Sequence, residues 1–195
     1  MDQNREHRAE GAKRRSASPA AGAVYDELLV TMIWSGDRQA SQRLAARWQP
    51  RLIHTARRLL GDREQAQSAV QESWLSIMRS IHSLRDPAKF APWAFGILHR
   101  RCSDAIRSNQ RGRAHVDNDA EIEGVTDPQG DDGIAIRQAF ALLSPDHRIT
   151  AQLFFVEGLT LAEIAEVADV PTGTIKSRLF HARQHLKAAL TGDDT

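Results

Sequence analysis

A single cysteine, Cys102, in 195 residues excludes an internal disulfide and a cysteine-based zinc framework. The eight histidines are scattered, with neither the spacing of a metal site nor a carboxylate pair beside them. No phosphate-cradling glycine loop and no nucleophile–base constellation is present, so the sequence carries no catalytic residues, no cofactor and no metal ligands, and it is not read as an enzyme. No apolar run approaches the length of a membrane span. The first residues are polar and basic and lack the apolar stretch of a signal peptide, which places the expectation in the cytoplasm. Strand-like alternation of useful length is also missing. Acid is missing locally: from Thr172 to Leu190 there is none.

What is present is helical and segregated by charge. The formal net charge is only +1. That sum hides a basic group (Arg100, Arg101, Arg107, Arg111, Arg113), then an acidic run from Asp117 to Asp132, then a basic C-terminal helix. A nucleic acid responds to charge within a Debye length, not to the sum. Residues 1–22 are polar, Ala-rich and aperiodic and are expected to be a disordered tail.

From Val24 the pattern turns helical, and four helices are expected over 23–109. The first carries Val24, Leu28, Leu29, Met32 and Ile33 on one face and ends at Gly36-Asp37. The second buries Leu44, Trp48, Leu52, Ile53, Ala56, Leu59 and Leu60, with Pro50 expected to kink or restart it. Gly61-Asp62 ends this helix and caps a third, to about Ile81, which buries Ala66, Val70, Trp74, Ile77 and Met78. After a loop over 82–92, a fourth helix from Trp93 to about Ser108 places Trp93, Ile97, Cys102, Ala105 and Ile106 near its core side. The acidic stretch 110–133 reads as a flexible linker. A second helical unit follows over 134–191, in which Ser144-Pro145 opens a helix that runs to about Val156.

The most informative stretch is Thr160–Arg183. Leu161, Ile164, Ala165 and Ala168 mark a short helix. Asp169, Val170 and Pro171 form a turn, and Pro171 stops the first helix from running on. A second helix then carries Ile175, Leu179, Ala182, Leu186, Ala189 and Leu190 on one apolar face. Lys176, Ser177, Phe180, His181, Arg183, Gln184 and Lys187 lie opposite. This is the shape of a DNA-reading helix-turn-helix, and the exposed Phe180 would find a partner in a thymine methyl.

The run Val170-Pro171-Thr172-Gly173-Thr174-Ile175-Lys176-Ser177-Arg178-Leu179, followed by Ala182-Arg183, resembles the promoter-reading motif of the extracytoplasmic-function sigma factors of bacterial RNA polymerase. Asp62, Ala66, Gln71, Glu72, Phe90, Trp93, Ile97, Asp104 and Arg107 resemble the promoter-melting domain of the same family. The resemblance implies an all-α protein of two small helical domains that binds RNA polymerase core and directs promoter recognition and melting. It implies that Thr172, Gly173, Thr174, Lys176, Ser177, Arg178, Phe180, His181 and Arg183 read the −35 element. For the −10 element it points to His82, Arg85, Lys89, Phe90, Trp93, Arg100, Arg101 and Arg107. Basic groups with an aromatic suit single-stranded bases, although the residues alone leave Phe90 and Trp93 open to a core role. The helix with Gln67, Ser68, Gln71 and Glu72 is expected to dock on the clamp helices of the polymerase core, and an anti-sigma factor is an implied partner.

Four departures stand out, one being Ala94 where a larger apolar residue is usual. Gln67 and Ser68 replace the family's usual acids, Arg100 stands where asparagine is common, and His181 replaces an arginine, losing its bidentate guanine contact. Two other readings remain: a sigma-like decoy that binds only protein, and a conventional helix-turn-helix regulator.

Overall fold

In the computed structural model, residues 19–113, 136 and 138–191 are described. The tail 1–18 and most of the acidic linker lie outside them. The described residues form helices joined by short turns, without a strand.

Capping residues set the boundaries. Helix α1 spans Pro19–Trp34 and α2 spans Arg38–Leu60. Asp37 starts α2, its Oδ1 accepting from the backbone N–H of Gln39 at 2.7 Å and of Ala40 at 3.2 Å; such a cap contributes about 1 kcal/mol. Gly61 ends α2 at φ 71°, a left-handed position that suits glycine, and its N–H donates to the Arg57 carbonyl. Asp62 then caps α3, Arg63–Ser80, by accepting from the Gln65 N–H at 2.7 Å. Two 3₁₀ turns, Ile81–Ser83 and Pro87–Lys89, lead into α4, Phe90–Arg113. Helix α2 runs through Pro50 without a restart, although Pro50 leaves one backbone acceptor of the preceding turn without its N–H donor.

Trp48, Leu44, Leu52, Phe90, Phe95, Leu98 and Ile77 form the centre of this unit and are buried within 1%. The inward face of α1 differs from expectation. Leu29, Val30 and Ile33 are buried, whereas Val24 and Leu28 are exposed. Asp26 is the reason: it is buried and pairs with Arg47 of α2 at 2.6 Å, so α1 rolls to bring a carboxylate inward. The helix also begins before the expected boundary, since residues 19–22 are helical. On α3, Ala66, Val70 and Ile77 are buried as expected. Trp74 is half-buried, its Nε1 donating to Gln49 Oε1, and Met78 is exposed.

The second unit opens with the helical residues 138–141, then α5, Pro145–Ala151. Helix α5 widens into a π-helical turn over Gln152–Val156, where the Glu157 N–H donates to the Gln152 carbonyl at 3.1 Å. Helix α6 spans Leu161–Ala168 and α7 spans Thr172–Thr191. Arg148 holds the start of this unit together by donating to the carbonyls of Phe140, Ala141 and Leu143.

The two units pack on one another. Helix α6 lies against α4, and α5 touches α2. One apolar cluster runs from Trp48 and Leu98 to Leu153, Ile164 and Ile175. At its edge Glu157 is almost fully buried. Its Oε2 accepts from Arg51 Nε at 3.0 Å, and its Oε1 accepts from Thr55 Oγ1 at 3.1 Å. Arg58 donates to Gln152 Oε1 at 2.8 Å.

Candidate nucleic-acid and polymerase interfaces

Thr160 and Glu163 form a capping box at the start of α6. The Thr160 hydroxyl accepts from the Glu163 N–H, and the Glu163 carboxylate accepts from the Thr160 N–H at 2.9 Å. Burial pushes Glu163 up, but the Thr160 hydrogen bonds and Lys89 outweigh it and leave its carboxyl below the usual range. Asp169 closes α6 in the left-handed region at φ 53°, where a short polar side chain is tolerated. Pro171 then leaves the chain free to start α7.

Ile175, Leu179 and Ala182 anchor α7 by burial. Its outer face presents Thr172, Gly173, Lys176, Ser177, Phe180, His181 and Arg183 to solvent, with Thr174 half-buried beside them. Phe180 is 58% exposed, so it does not serve the core. Arg183 lies over the Phe155 ring at 5.9 Å. Arg178 departs from the sequence reading. It is turned inward, with 19% of its side chain exposed, and pairs with Asp146 of α5. In this arrangement it braces α7 on α5 and does not point outward with Lys176 and Phe180.

The other basic cluster divides. His82, Arg85, Lys89, Arg100 and Arg107 are exposed. Lys89 is paired with Glu163 across the unit boundary at 3.4 Å, and Arg107 with Asp104 at 2.6 Å. Arg101 donates to Ser76 Oγ at 2.9 Å and lies 3.7 Å from Glu72. Phe90 does not join them: it is 1% exposed and packs edge-on against Trp48 with centroids 4.9 Å apart. Helix α4 starts three residues earlier than expected, which draws Phe90 into the core and removes it as a stacking platform. Trp93 is half-buried and keeps an open side. With Ile97, Arg100, Arg101, Asp104, Ser76 and Ser80 it lines a cleft of about 370 Å³ between α3 and α4. The sequence could not reveal this cleft, because Ser76 and Ser80 come from a different helix.

Gln67, Ser68, Gln71 and Glu72 are all exposed on α3. Leu75, 57% exposed, and Met78, 37% exposed, continue the same stripe at helical spacing. These apolar neighbours were missed: Met78 was expected inside. Their exposure gives the stripe the mixed character of a protein-docking surface. Among the described residues no group of three His, Cys, Asp or Glu side chains is disposed to hold a metal ion, and no helix is long and apolar enough to cross a membrane.

Comparison with known proteins accounts for both units. Residues 44–112 match the family model for sigma-70 region 2, and residues 139–188 match that for sigma-70 region 4. The chain is 31% identical over 167 residues to the ECF RNA polymerase sigma factor SigM of Mycobacterium tuberculosis, covering 84% of this chain and 83% of that protein. It is 26% identical over 182 residues to the RNA polymerase sigma-H factor of Pseudomonas aeruginosa, covering 85% and 93%. Its fold is similar to that of the sigma factor RpoE of Bartonella quintana, solved in complex with the anti-sigma factor NepR, with TM-score 0.70 and 23% identity over 78% of this chain and 97% of that one. With both conserved regions in order and an ECF relative matched over most of its length, the chain belongs to the extracytoplasmic-function family of RNA polymerase sigma factors, the subunits that confer promoter recognition.

Proposed function

We propose that the two units read two promoter elements at once, with α7 in the major groove of the −35 element and the α3–α4 surface on the −10 element. The observation that carries this reading is the outward face of α7: acid-free, with Lys176, Ser177, Phe180, His181 and Arg183 exposed over a buried apolar anchor. Lys176 and Arg183 supply phosphate or base-edge contacts, and Phe180 supplies apolar contact to thymine. On the other unit, His82, Arg85 and Arg100 form the basic rim. Trp93, at the mouth of the α3–α4 cleft, takes the role of the aromatic that stacks on an unpaired base. Melting costs a few kcal/mol per unstacked step, which stacking and phosphate contacts offset.

The stripe from Gln67 to Glu72 docks on the clamp helices of polymerase core. Without acids at Gln67 and Ser68, the exposed Leu75 and Met78 carry more of that contact through burial. An anti-sigma factor is the proposed regulatory partner, in keeping with two solved structures of similar fold. The RpoE structure contains NepR, and a second, CnrH, was solved with the cytosolic domain of CnrY at TM-score 0.62 and 21% identity. The cytoplasm is the compartment this activity requires.

Footprinting of the polymerase holoenzyme on a promoter fragment tests the division of labour. Two protected segments are expected, with Lys176→Ala losing the upstream one and Trp93→Ala losing permanganate reactivity of unpaired thymines downstream. Loss of both segments together in the Lys176→Ala complex would contradict separate roles.

A further inference from the structure

His147 of α5 lies between His181 and His185 of α7. The ring centroids are 5.8 and 6.4 Å apart and the ring planes are inclined by 29° in both pairs. Among the described residues no group of three His, Cys, Asp or Glu side chains is placed to hold a metal ion, so the three rings are not read as a metal site. His181 and His185 are exposed and His147 is half-buried, and the Phe180 ring stands edge-on to His181 at 5.5 Å. The cluster is therefore part of the surface proposed to face the −35 duplex.

Among the described residues, the charged groups around it leave it without an anion of its own. From α5 comes Asp146, which is already paired with Arg178 of α7. From α4 the half-buried His99 faces that same Asp146–Arg178 pair, with Arg100 next to it. Partial burial and then the neighbouring His181 and His185 hold the His147 imidazole below its ordinary value, with Arg178 adding in the same direction and Asp146 opposing. Imidazolium ions at this spacing repel one another, so the free protein resists charging His147. A phosphate oxygen brought against it reverses the balance, since each protonated ring then gains a charge-assisted hydrogen bond.

We infer that His147 and His185, together with His181, form a proton-linked contact for the DNA phosphate backbone beside the recognition helix. Where the family resemblance implies a permanently charged arginine at position 181, this chain has a titratable group stacked on His147. DNA binding takes up protons as a result. Affinity rises as pH falls through the range in which His147 is charged in the complex and neutral in the free protein, and levels off once it is charged in both. The inference rests on the reading of α7 as the duplex-facing helix.

The test uses the full chain and a fluorescent mixed-sequence 25-base-pair duplex, since backbone contacts need no particular sequence. Anisotropy is recorded from pH 8.0 to 6.0 at one low ionic strength. Uptake of one proton corresponds to at most tenfold per pH unit, so the dissociation constant is expected to fall by about tenfold or more across this range. The variant carrying His147→Gln and His185→Gln is expected to change by less than about threefold over the same pH range. A second reading needs no substitution: imidazole-ring NMR of the unmodified chain should show the His147 titration moving to higher pH when the duplex is added. A flat pH profile, no binding at either pH, an equal slope in the double variant, or an unmoved His147 titration overturns the inference. Lys176→Ala at pH 8.0 separates the two levels. If it does not weaken binding, the reading of α7 fails; if it does while the pH slope survives the histidine substitutions, only the proton linkage fails.

Discussion

The contact between the two units is held by a buried carboxylate, and replacing it gives a sharp test of the packing. Glu157 has 4% of its side chain exposed, while Arg51 has 32%. Removing one partner of a buried ion pair costs about 3–5 kcal/mol. Here Arg51 keeps some water and lies over the Trp48 ring at 4.0 Å, a contact that survives the change. Glu157→Ala is therefore expected to cost about 2–3 kcal/mol, with Thr55 and Gln152 losing an acceptor and a partner in the same step. A double-mutant cycle with Arg51→Ala isolates the pair, because the two residues come from different units and couple only while those units touch. Urea unfolding followed by circular dichroism on the four proteins should give a coupling of about 1–2 kcal/mol. A coupling within about 0.3 kcal/mol of zero would show that Arg51 and Glu157 do not meet in solution and would remove the interface. The contact also bears on function. Elements more than two helical turns apart lie roughly 80 Å from one another at about 3.4 Å per base pair, so reading both requires the units to part. Glu157→Ala lowers the cost of that step and should tighten binding to polymerase core.

Four further outcomes follow. Burial pushes the Cys102 thiol up to about 12, so it should resist alkylation at pH 8 in the native protein and react once unfolded; rapid native labelling would place it elsewhere. Phe90→Ala should cost about 3–5 kcal/mol in urea unfolding, as for a core aromatic, and a loss below about 1 kcal/mol would return Phe90 to the surface. His99 is lowered from its ordinary value by burial first, so the fold favours its neutral form. Its contribution to stability is present above the unfolded value near 6.5 and is lost as pH falls toward the folded one. The stability difference between pH 7.5 and 5.5 should accordingly shrink in His99→Gln, and an unchanged difference would assign the acid sensitivity to other groups. Lys176→Ala should weaken promoter binding and lower its salt dependence by about one unit of slope; an unaltered slope would place Lys176 away from the backbone.

The second helix pair of the C-terminal unit was legible because its signals are local. Thr160 and Glu163 cap α6, Pro171 separates it from α7, and the apolar step of Ile175, Leu179 and Ala182 is a property of one helix. Gly61-Asp62 was legible for the same reason. The misreadings concern residues whose environment is set by distant partners. Arg178 faces inward because Asp146, thirty-two residues away, offers a carboxylate. Val24 and Leu28 stay outside because Asp26 takes the inner position opposite Arg47. Phe90 was balanced between core and surface in the sequence, and Trp48 decided it. The cross-unit network of Arg51, Thr55, Arg58, Gln152 and Glu157 left no sequence signal, since none of these residue types announces burial until the units meet. The acidic linker expectation falls largely outside the described residues, apart from 110–113, which continue α4.

Run-off transcription with purified bacterial polymerase core on a library of genomic promoter fragments, with and without this protein, tests the central claim most directly. New start sites that require the protein, each preceded by two shared sequence elements, are the predicted result. An unchanged transcript profile, from a preparation shown to be folded and in excess over core, would contradict it.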